Sequence, residues 1–245
     1  MVKILRSPFV CFLAALVVLI PSASQAQKKT GKNGISGFAD FNAYYDTRQF
    51  SVFTINLLAN LPYRFQYFSL TNFQSPKRSF DLESLYTEQN LRWGVHKNVP
   101  LDLTFQYVIR NGKDNDDFRF GLRWVVNKTP GLDSAFHKIH LTYSVNPMFI
   151  QFRSKAKPAY MTIIEHVYRL NIAPGPLNNR LYIGGFVDQN FVYSNSKVSL
   201  KWVSEHQLGI RLVSQLYAVA EFRINTFLPD EQYGLGYGLE YKVIF

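Results

Sequence analysis

The sequence predicts an all-β fold, a membrane-spanning antiparallel up-and-down β-barrel of about 12 strands. First, apolar and polar residues alternate in segment after segment from residue 35 onward, which is the period of a strand with one apolar and one polar face. Second, 47% of the residues are hydrophobic, yet no stretch approaches the 18 consecutive apolar residues of a transmembrane helix. Third, arginine recurs opposite the apolar rows. This excludes a soluble sandwich, because a dry core does not accept unpaired charges.

The first 26 residues have the parts of a cleaved secretory signal peptide, namely a basic start, an apolar run and small residues ending at Ala26. The single cysteine, Cys11, lies inside the apolar run, which argues against lipidation and leaves the mature chain without a thiol. Residues 27–34 follow as a short basic periplasmic leader, and residues 35–245 form the predicted outer-membrane barrel.

Turn-forming residues divide the barrel region into twelve segments, an even number, and apolar and polar residues alternate within each segment. An even number brings both ends of the barrel to one side of the membrane, which in bacteria is the periplasm. The segments match the roughly 9–11 residues that a tilted strand needs to cross a bilayer. The predicted strands span about 35–45, 51–60, 63–73, 83–95, 101–110, 117–126, 137–146, 159–171, 180–193, 198–213, 216–227 and 233–245.

Each segment is predicted as a strand from its own alternation, and strand five is the clearest, since Leu103 and Phe105 alternate with Thr104 and Gln106. The outward apolar rows include, in chain order, Phe41, Ile55, Tyr67, Leu91, Phe105, Phe120, Leu141, Ile164, Ile183, Leu208, Phe222 and Leu239. The inward polar rows include, in the same order, Asp40, Thr54, Gln66, Glu88, Gln106, Arg119, His140, Glu165, Asp188, Gln207, Glu221 and Glu240.

The connections between strands carry turn signals. Proline marks the turns assigned to the periplasm, at Pro62, Pro100, Pro130, Pro174 and Pro176. The acids Asp114, Asp116 and Asp117 are predicted to lie in a solvated loop, and residues 147–158 form the longest connection. Basic residues on the surface loops could contact phosphates of the outer leaflet, and they are Lys77, Arg78, Arg153, Lys155 and Lys157.

The last strand combines an unbroken outward row with an aromatic end. This row resembles the terminal strand by which bacterial outer-membrane barrels are recognised for insertion. The predicted insertion signal consists of Tyr237, Leu239, Tyr241, Val243 and Phe245.

Charged side chains of both signs are predicted to face the lumen. The cations are Arg64, Arg92, Arg110, Arg119, Arg123, Lys138, Arg169, Arg180, Arg211, Arg223 and Lys242. The acids are Asp40, Glu88, Asp102, Glu165, Asp188, Glu221 and Glu240. Two interpretations stay open. The charges either neutralise each other in a salt-bridge network that plugs the lumen, or line a narrow, wet channel with a mild preference for anions or polar neutral solutes.

Inward aromatic residues accompany these charges, at Phe38, Tyr44, Phe68, Tyr86, Tyr182, Phe186 and Tyr217. Some would cover the rims, whereas aromatic faces beside amides and charges suit a planar polar solute such as a nucleobase. Position along each strand estimates depth, because the strands alternate in direction. The candidate solute contacts near mid-height are Tyr86, Glu88, Arg123, Glu165, Phe186, Asp188, Tyr217, Glu221 and Arg223.

Residues 108–143 resemble a segment of the Tsx-type nucleoside-specific outer-membrane channels. The shared features are an Arg-Asn-x-Lys-Asp hairpin loop from Arg110, an aromatic-rich Gly-Leu strand, a Gly-Leu turn and an alternating strand. The Tyr-Asp-Thr-Arg turn at 45–48 and the segment 79–92 have rough counterparts, as do the strand count and the closing aromatic. The long loops of that family are shortened here. The resemblance implies a channel for nucleosides and assigns no individual base-binding residue.

An enzyme is the main alternative, of the lipase or protease type. Outer-membrane phospholipase A has the same strand number but needs a histidine two residues before a serine, and no His-x-Ser occurs in this chain. Omptin-like proteases need paired acids and a histidine at the outer rim, which would require taller strands and longer loops. His140 is predicted as a hydrogen-bonded lumen residue rather than a base, and His166 and His206 have no partner at metal-ligand spacing. We therefore predict no catalytic residue, metal or cofactor.

The partners predicted from the sequence are outer-membrane lipids and lipopolysaccharide, the barrel-assembly machinery, and a small polar solute with nucleosides as the candidate. A nucleic-acid partner is not expected, despite a formal net charge of +10, because the basic residues are scattered around the barrel rather than gathered on one face. A structural barrel with a plugged lumen is the remaining alternative.

Overall fold

The computed structural model describes residues 34–75, 83–111, 116–153, 160–194 and 197–245. These residues form twelve antiparallel strands, each paired with its neighbours in sequence, and β1 pairs with β12 to close the sheet. The strands are β1 (Ser36–Asp46), β2 (Phe50–Asn60), β3 (Phe65–Ser75), β4 (Ser84–His96), β5 (Val99–Arg110), β6 (Asp117–Val125), β7 (Leu141–Arg153), β8 (Tyr160–Ile172), β9 (Leu181–Ser194), β10 (Lys197–Val213), β11 (Leu216–Asn225) and β12 (Tyr233–Ile244). The predicted fold class is confirmed.

The barrel has two distinct ends. The terminal end carries the start of β1, the end of β12 and the turns that follow β2, β4, β6, β8 and β10. The loop end carries the other connections, including residues 76–82, 112–115, 154–159 and 195–196, which lie outside the described residues. The predicted signal peptide, nearly all of the leader, and the loop residues Lys77, Arg78, Lys155 and Lys157 also lie outside them. No helix among the described residues is long and apolar enough to cross a bilayer.

The predicted start of strand seven is wrong. Residues Asp133–Lys138 form a short helix, α1, and β7 begins only at Leu141, after a backbone reversal in which His140 has a φ of 57°. Lys138 and His140 are exposed in this connection at the terminal end and do not face the lumen. Ile139 is also exposed in the connection, at 55% of its full accessible surface.

Strand seven also extends further than predicted, because Pro147 does not end it. Residues 147–153 of the predicted connection belong to β7. In the pairing with β6, Phe120 lies opposite Ile150 and Gly121 opposite Met148, so that Phe149 is the extra residue of a β-bulge. A bulge is a place where a strand tolerates proline, since the regular hydrogen-bond ladder is already interrupted there.

The two faces of the sheet differ as the alternation predicts. Outward side chains are mostly apolar, and many are large and exposed, as at Phe105, whose ring lies 4.9 Å from that of Phe120. Inward polar side chains are instead buried inside the barrel, and they include Asn42, Thr54, Asn90, Thr104, Gln106, Asn146 and Asn190. An apolar exterior around a polar interior is the arrangement of a transmembrane barrel.

The terminal strand closes the barrel against β1. Its outward residues lie opposite outward residues of β1, and the rings of Tyr237 and Tyr45 meet edge to face at 5.8 Å. Phe245 follows the last strand residue, yet its backbone N–H donates to the Gly37 carbonyl at 3.1 Å and its carbonyl accepts from the Gly37 N–H at 2.8 Å. The last residue of the chain therefore completes the seam.

Deleting Phe245 should lower the amount of folded protein in the outer membrane. The deletion removes two seam hydrogen bonds, worth about 0.5–1.5 kcal/mol each, together with the aromatic end of the predicted insertion signal. Phe245→Tyr, which retains an aromatic ring and the backbone pair, is the matched control. The measurement is the fraction of heat-modifiable protein in isolated outer membranes. Equal fractions for the deletion and the wild type would show that the terminal residue plays no part in assembly.

Candidate functional site in the barrel lumen

Most lumen cations are paired along the barrel wall rather than across it. The ion pairs join side chains on the same strand or on adjacent strands. They are Arg110 and Arg119 with Asp117 at 2.9 and 3.0 Å, Arg123 with Asp102, Arg223 with Glu205 and Glu221, and Lys242 with Asp40 and Glu240 at 3.7 and 2.8 Å. Local pairing of this kind neutralises the wall without requiring the lumen to be filled.

The other lumen cations contact aromatic rings or neutral oxygens. The Arg169 guanidinium carbon lies 3.7 Å from the ring centroid of Tyr182, and Arg92 lies 5.3 Å from that of Phe68. Arg211 donates to a backbone carbonyl at the terminal end. With the cations engaged in these ways, the charge distribution does not support the predicted preference for anions.

Three lumen carboxylates have no ion-pair partner among the described residues. They are Glu88 on β4, Glu165 on β8 and Asp188 on β9, and we refer to them as the mid-lumen carboxylate cluster. Each is within electrostatic range of the other two. All three side chains are half-buried. All three are also among the residues predicted from the sequence as solute contacts.

Neutral donors hold two members of the cluster in place. The Tyr86 hydroxyl donates to one oxygen of Glu88, and the Gln106 amide donates to the other at 3.1 Å. Glu165 accepts a hydrogen bond from the Asn146 amide. These groups orient the carboxylates without neutralising them.

Free acceptor atoms remain at the cluster. Oδ1 of Asp188 and Oδ1 of Asn146 are inaccessible and have no hydrogen-bond partner. Asn146 lies opposite Glu165 in the β7–β8 pairing, and Glu165 lies opposite Asp188 in the β8–β9 pairing, so the three side chains form one row around the wall. The row therefore contains two acceptor oxygens without a donor, which would suit a solute with N–H or O–H groups.

Aromatic side chains border the lumen on both sides of the cluster. The Arg110 and Arg223 guanidinium carbons lie 5.4 Å and 5.7 Å from the ring centroids of Tyr86 and Tyr44. Phe186 occupies an inward position on β9, opposite Glu205. Tyr44 is buried among apolar neighbours, whereas Tyr86 and Phe186 are half-buried, so these two rings are the candidates for contact with a planar solute.

A second polar group lies toward the terminal end. The Tyr182 hydroxyl lies within hydrogen-bond distance of acceptor oxygens on Glu240 and Gln207 and donates its single proton to one of them, and the Gln207 amide donates to the Tyr44 hydroxyl. Gly209 makes room for this tyrosine, because a Cβ there would lie 2.2 Å from a ring atom. These contacts join β9, β10, β12 and β1, which narrows one side of the lumen.

Several predicted lumen residues occupy other places. Tyr217 lies at the start of β11, where its ring meets Tyr182 edge to face at 5.8 Å, which places it toward the terminal end. Arg123 binds Asp102 and Gln66 near the starts of β5 and β3, which places it toward the terminal end. Arg64 and Arg180 lie in exposed turns rather than in the lumen.

The loop prediction for Asp117 is also wrong. This residue begins β6, is 1% exposed, and pairs with Arg110 and Arg119. Glu205 and Asn146 are the lumen residues that matter most and that the sequence argument did not select as solute contacts. Glu205 lies two residues before Gln207, which was predicted to face inward, and Asn146 faces the lumen beside Glu165, so the alternation along each strand could have indicated both.

The described residues offer no group of three or more histidine, cysteine, aspartate and glutamate side chains that could hold a metal ion. His166 and His206 both face outward, where their Nδ1 atoms lie 2.7 Å from the hydroxyls of Tyr143 and Tyr168. Neither histidine shares the lumen with the carboxylates. The barrel interior therefore presents fixed charges and hydrogen-bonding groups.

Comparison with solved structures supports the barrel fold. No family model and no curated protein matches the sequence. Among solved structures, KdgM porin superimposes with a TM-score of 0.51 at 12% identity, covering 83% of this chain and 98% of that chain. The same porin in complex with disordered oligogalacturonate gives 0.51 at 13% identity, with the same coverage. A triple mutant of Rhodopseudomonas blastica porin gives 0.33 at 6% identity, covering 85% of this chain and 99% of that chain. The chain has the barrel fold of an outer-membrane porin.

Proposed function

We propose that this protein is an outer-membrane channel of a Gram-negative-type bacterium, through which small polar solutes diffuse passively, with nucleosides as the leading candidate. The observation that carries the proposal is a closed barrel in which the three half-buried carboxylates of the mid-lumen cluster have no ion-pair partner among the described residues. A purely structural lumen would be expected to neutralise such charges, because unpaired charges away from bulk water are costly. The apolar exterior and the predicted N-terminal signal peptide support the location.

A nucleoside matches the chemistry of the lumen. Its ribose hydroxyls and exocyclic amines are donors, and Glu88, Glu165 and Asp188 present acceptors at the middle of the passage. Its base is planar, and Tyr86 and Phe186 are the inward aromatic residues nearest to these acceptors along β4 and β9. Conduction requires contacts that are strong enough to select and weak enough to release, and a few hydrogen bonds in a wet lumen satisfy both.

An acidic sugar is a weaker candidate for this chain. One neighbouring porin was solved with oligogalacturonate, which carries carboxylates. Here the arginines are largely engaged by acids on the wall, and the unpaired charges of the mid-lumen cluster are negative. A polyanion would meet repulsion at that point.

The test is block of single-channel current by adenosine and thymidine. We expect both nucleosides to reduce the current of the wild-type channel and Tyr86→Ala to weaken the block about tenfold, since base stacking on an aromatic ring is worth about 1–3 kcal/mol. Tyr86→Phe separates the two roles of this residue, because it keeps the ring and removes the hydroxyl that donates to Glu88. Tyr63→Ala is the control, since Tyr63 is 87% exposed in a turn at the terminal end.

Three outcomes are distinct. Block that depends on Tyr86 supports a nucleoside channel. Conduction that neither nucleoside changes would reject nucleosides and leave a general narrow channel. A folded barrel that does not conduct in planar bilayers would reject the channel and favour the plugged alternative.

A further inference from the structure

We infer that the mid-lumen carboxylate cluster makes the channel select small cations over anions and that it binds primary ammonium groups. The inference rests on the proposed channel function and adds a cation site to the lumen, independent of whether neutral nucleosides also pass. It stands on the pairing of the strands, on the hydrogen-bond partners of each side chain, and on the positions of the neighbouring cations.

The strand register sets like charges against each other. Glu165 and Asp188 are directly opposite on β8 and β9, and both occupy inward positions. Directly opposed side chains of an antiparallel pair have Cβ atoms about 4.5–5.5 Å apart, and like charges there are destabilising. Glu88 also lies within electrostatic range of Asp188 and adds to the negative potential. A mobile cation among these groups would relieve the repulsion.

The arginines near the cluster do not relieve this repulsion by forming ion pairs with it. Arg119 is within electrostatic range of the cluster, but its donors go to Asp117 and to the Gln106 oxygen at 2.7 Å. Arg92 also reaches it electrostatically, but donates to Gln66 at 3.3 Å. Neither arginine forms a salt bridge with Glu165 or Asp188 within the described part of the chain.

The side-chain amide of Asn146 is a second observation, independent of the carboxylates, that indicates a ligand with N–H donors. Asn146 is fully buried, its Nδ2 is taken by Glu165, and its Oδ1 has no partner. With Oδ1 of Asp188 this makes two free acceptors in one row. An ammonium group is a compact charge with three N–H donors and no acceptor, so it can supply charge and hydrogen bonds together. A guanidinium or a phosphate fits less well, since the first is larger and the second is repelled.

The zero-current potential in a KCl gradient tests the selectivity. We expect the sign of a cation-selective channel, with a cation-to-anion permeability ratio of about ten, equivalent to about 1.4 kcal/mol. Glu165→Gln and Asp188→Asn should each move the ratio toward one. Asp230→Asn is the matched control, because it removes one carboxylate from an exposed loop-end turn and should leave the ratio unchanged. Methylammonium should permeate better than tetramethylammonium, which has no N–H donor.

A conducting channel that is non-selective or prefers anions would overturn the inference and leave the proposed channel function standing. For a barrel that does not conduct, thermal unfolding in detergent tests whether the cluster binds a cation. A ligand that binds only the folded state raises the unfolding temperature. Stabilisation by methylammonium chloride but not by tetramethylammonium chloride, lost in Asp188→Asn, would support a cation site in a closed lumen. Equal unfolding temperatures in the two salts would overturn it.

Discussion

Replacing Phe105 by arginine is expected to lower the free energy of unfolding by about 2–4 kcal/mol, the range measured for arginine at the mid-membrane surface of transmembrane barrels. Phe105 lies in the middle of β5, faces outward and is 40% exposed. It packs against Phe120, so the substitution also removes an aromatic contact. The cost arises because lipid offers no partner for the guanidinium.

The matched control for this substitution is Ile139→Arg. Ile139 is also apolar and exposed, but it lies in the connection after α1, outside the strands. The cost of a lipid-facing arginine falls to about 0–1 kcal/mol near the membrane surface, so Ile139→Arg should be nearly neutral. Reversible denaturant unfolding in lipid vesicles measures both. Equal stability of the two variants would show that Phe105 does not face the hydrocarbon layer.

The faces of the strands could be predicted from the sequence because strand geometry fixes them. Successive side chains of a strand point to opposite sides, so placing one residue places its neighbours. Thr104 and Gln106 are buried inside the barrel, while Phe105 between them is exposed outside. This reasoning needs no knowledge of which strands pair, and it is correct wherever the strand is continuous.

The same reasoning fails where the backbone leaves the strand. Ile139, Leu141 and Tyr143 alternate as a strand would, yet the positive φ of His140 separates the first from the other two. The ring of Phe136 on α1 stacks on Tyr143 at 6.3 Å, a contact between helix and strand that single-sequence periodicity does not contain. Pro147 suggested that strand seven ends there, whereas the strand continues to Arg153. The β-bulge that follows Pro147 depends on the pairing of β6 with β7, which the sequence of one strand does not show.

The candidate site was predictable only in part, for a related reason. The alternation of side chains along each strand places Glu165 and Asp188 inward. Only the register of β8 with β9 sets them opposite each other. Likewise, Arg123 reaches Gln66 on β3 from β6, a contact that depends on the curvature of the closed barrel. Residue types in the lumen follow from the sequence, whereas the division into paired and unpaired charges follows from the three-dimensional arrangement.

The second large effect on stability is expected at the seam between β1 and β12. Gly238→Ala is expected to destabilise the barrel by about 1–3 kcal/mol, the usual cost of overpacking. Gly238 lies opposite Tyr44, and a Cβ built on it would lie 1.8 Å from the Ala43 carbonyl oxygen. Because the clashing atom belongs to the backbone, no side-chain rotation relieves the contact. The strands must shift apart at the point where the barrel closes.

Gly236→Ala provides a control on the same strand and the same face. The atoms nearest to a Cβ at Gly236 are 3.8 Å away, which is ordinary van der Waals contact. Alanine also loses less backbone entropy than glycine on folding, so this variant should be neutral or slightly stabilising. Denaturant midpoints of the two variants in lipid vesicles, and their heat-modifiable fractions, make the comparison. If Gly238→Ala were as stable as Gly236→Ala, the close approach of β1 to β12 at Ala43 would not exist in the membrane.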